Sequence, residues 1–107
     1  MVYIMITTWG PASKVAEVGK KFLEVRKTPL DRSIMKRVVP MAVRMLKDGI
    51  RNVAIYEVKP GKTEEAMGEM TKRMLTFSEI EGFEVEMEVL MSGTEAMPLI
   101  GLKMPEE

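Results

Sequence analysis

The stretch FEVEMEVLM, Phe83–Met91, sets Glu84, Glu86 and Glu88 at every second position. On a strand that spacing lines three carboxylates along one face, with Phe83, Val85, Met87, Val89 and Met91 along the other. Three carboxylates in a row invite a hard-cation reading. Alternate strand positions, however, stand about 7 Å apart, too far for tight chelation, and no His or Asp assists. No metal is expected. The row is either a solvated face that keeps a sheet edge from aggregating or one side of a charged seam.

A second group with chemical character is Met67, Met70 and Met74. Thioethers suit Cu(I), but these three share one helical stripe with Phe77. A helix packed on a sheet has the same pattern, and Met fills irregular cores well. Core packing therefore accounts for them. The candidate ligand-binding residues are Tyr3, Trp9, Tyr56, Arg44 and Asn52, which fall on or beside strand-like segments. Pockets are mostly apolar with a few placed polar groups, and these five fit a pocket between sheet and helices. The plainer account is that they pack, with the Tyr hydroxyls and Trp N–H reaching the surface.

Composition removes most other chemistry. The chain has 107 residues, no Cys and no His. That excludes disulfides, thiolate nucleophiles, the commonest general base and the usual proximal haem ligand. No Gly-rich phosphate loop occurs, since Gly10 and Gly61 stand alone. RNVAIYEV offers only Tyr56 where an RNA-recognition sheet needs spaced aromatics. Sixteen basic and sixteen acidic residues cancel, which argues against nucleic acid or an anionic membrane as partner. The halves do not cancel: residues 1–52 carry eleven Lys/Arg against four Asp/Glu, and residues 53–107 carry five against twelve, giving +7 and −7. Asn52 is the only Asn and Gln is absent, a heat-adapted trend that twelve Met residues oppose. The apolar start, MVYIMI, lacks a basic leader and a cleavage site, and no run approaches the ~18 residues of a membrane span. The expectation is a single cytoplasmic domain over residues 1–107.

The elements that must position these residues follow from periodicity. Val2–Trp9 reads as a strand apolar on both faces, with Val2, Ile4 and Ile6 one way and Tyr3, Met5 and Trp9 the other. Gly10-Pro11 opens a helix marked by Val15, Val18, Phe22 and Val25, which Thr28-Pro29 ends. Leu30–Lys36 is ambiguous, with Asp31 placed to cap a short turn. Val38–Leu46 is a strand that Pro40 assigns to an edge. Asp48-Gly49 is a hairpin signal, and Arg51–Lys59 returns. Pro60-Gly61 turns the chain, Thr63 caps a second helix, and FEVEMEVLM is the last strand. Ser92–Glu95 resembles a capping box for a short C-terminal helical appendage, which Pro98 breaks and Gly101 ends. The fold class is α+β: β-α-β-β-α-β, a ferredoxin-like four-stranded antiparallel sheet with the first and third strands inside.

This element order, the Gly-Pro start of the first helix, the Asp-Gly hairpin and YEVKPGKTEEA (Tyr56–Ala66) resemble the dimeric α/β-barrel superfamily. The resemblance implies two ferredoxin-like subunits pairing sheet to sheet, which would cover the second apolar face of the first strand. It implies a homodimer, or a larger assembly built on one, with a pocket between sheet and helices or within the barrel. The Glu84–Glu88 row would then face Arg44 and Lys47 of the partner. The superfamily includes cofactor-independent monooxygenases, muconolactone isomerases, haem-degrading enzymes and stress-responsive proteins. The haem branches ligate iron through His, which this chain lacks. No catalytic residue and no cofactor is assigned. The expected role is binding of a small apolar or amphipathic organic molecule. The alternative is a cofactor-independent monooxygenase or isomerase. The tail TEAMPLIGL (Thr94–Leu102) is expected to dock on its own barrel or to close a partner's pocket.

Overall fold

Ten residues, Val2–Pro11, form the first strand, β1, in a computed structural model that describes residues 1–105. A single tight turn, Ala12–Lys14, leads into helix α1, Val15–Arg26. Strands β2, Met35–Leu46, and β3, Gly49–Val58, form a hairpin. Helix α2, Thr63–Leu75, follows, then β4, Glu84–Met91, and a one-turn helix α3, Gly93–Ala96. The protein is α+β, built on one four-stranded antiparallel sheet of order β2-β3-β1-β4. The first and third strands lie inside and the second and fourth at the edges, as the sequence pattern predicts.

Several boundaries move, each for a local reason. Gly10 and Pro11 stay in β1, paired with Ile50 and Gly49, so the helix begins after them. The turn of the hairpin is Lys47-Asp48, and Gly49 already belongs to β3. Asp31 caps a short turn, as expected: its Oδ1 accepts from Ser33 N at 2.9 Å and Ser33 Oγ at 2.6 Å, an Asx turn, and its carbonyl accepts from Ile34 N and Met35 N. That turn delivers the chain into β2 at Met35, three residues earlier than Val38, and the register then slips between Arg37 and Ala42 around Pro40. Pro40 has no N–H to donate, so the irregularity falls where the ladder has least to lose. Thr63 is the first residue of α2, and the residue before it, Lys62, gives no side-chain cap.

Strand register fixes the two faces of the sheet, because residues paired across antiparallel strands project to the same side. On the helix side, Ile4, Tyr56 and Val89 share one row and Ile6, Ala54 and Met87 the next. Here the core forms: Ile4, Ile6, Met35, Ala54, Tyr56 and Val58 pack with Ala66 and Met70 of α2. Met67 and Met74 pack against this cluster from its margin, so the methionine stripe is core packing, as expected. The opposite face carries Tyr3, Met5, Thr7 and Trp9 in its centre, beside Val53 and Ile55. No helix covers it.

Arg73 of α2 is buried, which no local pattern in the chain announces. Its Nη2 donates to the carbonyls of Thr28 at 3.0 Å and Pro29 at 2.9 Å, and Nη1 to Val25 at 3.4 Å. One guanidinium thus clamps the end of α1 to the two residues just beyond it, whose carbonyls no longer have helical partners. Arg73→Met keeps the stem and removes the donors. It is expected to cost about 2 kcal/mol and to lower Tm by roughly 10 °C in a thermal melt. An unchanged melting temperature would show that water replaces the clamp at no cost.

Past β4, Ser92 Oγ accepts from Glu95 N at 3.3 Å, so half of the expected capping box forms. Glu95 turns its carboxylate to the amino group of Met1 instead. The tail does not bury its apolar side chains on its own chain: Leu99 and Ile100 are 74% and 70% exposed. A helix of one turn followed by a left-handed Gly101 gives these residues no surface to lie on.

Candidate functional site

Between α1 and the sheet lies a cavity of about 300 Å³. Its floor is the helix side of the sheet beyond the core rows: Ile6 and Thr8 of β1, Ile50, Asn52, Ala54 and Tyr56 of β3, and Met41, Val43 and Met45 of β2. Val15, Val18, Gly19 and Phe22 of α1 form the roof, and Met74, Phe77 and Phe83 close one side. Phe77 and Phe83 stack at 4.9 Å between centroids, which makes that wall rigid.

The cavity explains an oddity of α1. Its apolar stripe has the expected helical spacing, yet no residue of the helix is buried. Val15, Val18 and Phe22 line the open space, with Val18 and Phe22 half-buried and Val15 exposed. The helix is instead held at its middle by an ion pair of Lys21 with Glu79 at 2.5 Å and at its C-terminal end by the Arg73 clamp. That hydrogen bond raises the pKa of Lys21 and lowers that of Glu79. The pair is exposed and contributes little to stability, but it crosses from α1 to the loop before β4.

The polar content of the cavity is small and concentrated. Thr8 and Asn52 are direct partners in the β1–β3 register and sit side by side in an otherwise apolar floor. Val85 of β4 and Val43 of β2 flank them. Asn52 Oδ1 is buried and accepts no hydrogen bond among the described residues. Among the described residues no Lys, Arg, Asp or Glu lines the space. Among the described residues no group of three His, Cys, Asp or Glu side chains could hold a metal.

The five candidate residues from the sequence divide between the two faces of the sheet. Tyr56 and Asn52 line the cavity. Tyr3, Trp9 and Arg44 belong to the opposite face by register, where Arg44, Arg51, Trp9 and Glu84 form one continuous row across all four strands. No single pocket holds all five. The reason is the alternation of a strand: odd positions of β1 and even positions of β3 cannot share a side in this register. Thr8, Phe22 and Phe83 complete the cavity and had no sequence signal beyond apolar periodicity. A separate cleft at the start of β2 gathers Arg32, Lys36, Arg37 and Lys59, with Lys36 3.8 Å from Glu57.

No family model and no curated protein matches the chain. Among solved structures, the chain is similar to a de novo designed protein, Foldit4, with a TM-score of 0.53 and 17% identity. The match covers 85% of this chain and 97% of that one. At this identity the likeness speaks to the fold alone. No helix among the described residues is long and apolar enough to cross a membrane.

Proposed function

We propose that this protein is a small-molecule binding module. Each chain holds an apolar or amphipathic organic molecule between α1 and the sheet, and two chains pair through their uncovered sheet faces into an α/β barrel. The observation that carries the binding reading is the roof of the cavity: an amphipathic helix with no buried residue, set over an apolar floor. Apolar area is worth about 25 cal/mol per Å² when removed from water, so an occupant would complete a core that the chain leaves unfilled. An all-antiparallel sheet with its first and third strands inside supports the ferredoxin-like part of the reading. An apolar stripe on the bare face supports the pairing.

The alternative, a cofactor-independent monooxygenase or isomerase, would use the same cavity. It needs a group that moves a proton, and the lining offers only Thr8, Asn52 and Tyr56 as polar side chains. Binding without catalysis requires less of these residues.

Gly19 offers the test. It lines the cavity, and a Cβ built there meets nothing within 4 Å. Gly19→Leu should fill part of the space and remove a helix-interior glycine worth about 1 kcal/mol. The expected result is a melting temperature equal to or above that of the parent chain. The neutral probe N-phenyl-1-naphthylamine should bind the parent saturably by fluorescence and the Gly19→Leu variant at least tenfold more weakly. Absence of saturable binding to the parent chain, or equal binding by a well-folded variant, would remove the reading.

A further inference from the structure

We infer that the ligand of this cavity is an uncharged molecule carrying a hydrogen-bond donor, an alcohol, phenol or amide N–H, which Asn52 reads from the floor. This inference rests on the binding reading above and adds to it the class of molecule. Three observations converge on it.

The first is the orphaned acceptor. Asn52 stands mid-strand in β3 with Thr8 on one side and Val43 on the other. Its Oδ1 is shielded and has no hydrogen-bond partner among the described residues. Buried polar atoms are nearly always paired. Asn52 lines the cavity, and rotation about the soft torsion of its terminal amide carries the unpaired oxygen to the cavity surface, where it accepts from whatever enters. Asn52 is the only Asn in the chain, and a Val or Thr there would suit strand propensity better.

The second is the absence of charge. Sixteen of the chain's residues are basic and sixteen acidic, yet among the described residues none of them lines this space. An ionised carboxylate or phosphate inside would have no counter-charge, a costly arrangement in an apolar surrounding. The chain's concentrated positive charge lies elsewhere, at Arg32, Lys36, Arg37 and Lys59. Fatty acids and phosphorylated metabolites are therefore disfavoured occupants.

The third is size and shape. About 300 Å³ corresponds to roughly ten water molecules at ~30 Å³ each, the scale of one or two fused rings or a short branched chain. The aromatic wall of Phe22, Phe77 and Phe83 suits a planar ring, and Met41, Met45 and Met74 adapt to its outline.

The experiment compares three molecules of nearly one shape as competitors of N-phenyl-1-naphthylamine at neutral pH: naphthalene, 2-naphthol and 2-naphthoate. The first has no donor, the second a neutral donor, the third a negative charge. The parent chain should bind 2-naphthol about tenfold more tightly than naphthalene, the value of one hydrogen bond to a buried acceptor. It should bind 2-naphthoate more weakly than either. Asn52→Leu, which keeps the bulk and removes the acceptor, should erase the preference of naphthol over naphthalene while naphthalene itself binds as well or better. Asn52→Asp retains an acceptor at the same place and should keep the preference, which holds the test open if the leucine variant folds poorly. Equal binding of naphthol and naphthalene by the parent chain would overturn the inference and leave the binding reading standing. So would tighter binding of naphthoate. If the fluorescent probe itself fails to bind, the binding reading falls first.

Discussion

Replacing Glu84 and Glu86 with lysine is expected to weaken self-association about a hundredfold at low salt, read by sedimentation or sizing across a concentration series. The expectation follows from the map of the uncovered face. Its rows, read from β2 to β4, are Arg44–Arg51–Trp9–Glu84, Ala42–Val53–Thr7–Glu86 and Val39–Ile55–Met5–Glu88. Each sheet is thus cationic at one corner, acidic along the opposite edge and apolar between. Arg44 and Arg51 stand directly opposite each other across β2 and β3, which is unfavourable for like charges, and the Nε of Arg51 is buried without a partner. In the proposed pairing, a second copy related by a two-fold axis along the strands would bring the acidic edge of one sheet over the arginine corner of the other. In the proposed pair Arg44 would meet Glu84 of the twin, and Arg51 its Trp9, a cation–π arrangement. Lys47 lies in the hairpin turn, beyond the end of β2, so in that pair Arg51 would stand where the sequence suggested Lys47. Like charges brought together across an interface cost several kcal/mol, and the effect fades with salt. Adding Arg44→Glu and Arg51→Glu to the lysine variant should restore pairing with the signs exchanged. A lysine variant that associates as the parent does, insensitive to salt, would show that the acidic row is only a solvated edge. A parent chain that stays monomeric at micromolar concentration would remove the pairing altogether.

The largest stability loss is expected from Gly49→Ala. A Cβ on Gly49 would lie 2.0 Å from the carbonyl oxygen of Gly10 and 3.0 Å from Pro11 Cα. Both are backbone atoms of the paired strand, so no side chain can swing aside. The methyl group can be accommodated only by opening the end of the β1–β3 ladder, where Pro11 pairs with Gly49 and Ala12 N donates to Asp48 O at 2.9 Å. Overpacking of this kind costs about 3 kcal/mol, a large share of the 5–15 kcal/mol typical of a domain. Tm should fall by roughly 15 °C. Gly19→Ala serves as the control, since a Cβ there meets open space, and it should leave Tm unchanged or raise it. If Gly49→Ala melts with the parent chain, the close approach of the two strands is not what the glycine serves.

Periodicity and turn signals determined the element order and which residues within one strand share a side, and left open which side faces the helices. Alternation in Phe83–Met91 placed the glutamates together, and the doubly apolar Val2–Trp9 announced an interior strand. These are local properties: a period of two or of 3.6 needs no knowledge of the rest of the chain. Boundaries at Gly10-Pro11, at the start of β2 and at Lys47-Asp48 were less legible, because strand pairing overrides the residue preferences of isolated segments.

Tertiary structure decided what faces what. That Asn52 and Tyr56 share a cavity while Trp9, Tyr3 and Arg44 share the opposite surface depends on register between strands distant in sequence. That Arg73 reaches the end of α1 depends on how two helices lie on one sheet. That α1 roofs a space instead of filling it depends on side-chain volumes drawn from five separate elements. Each of these is a sum over long-range contacts, and no window of consecutive residues contains it.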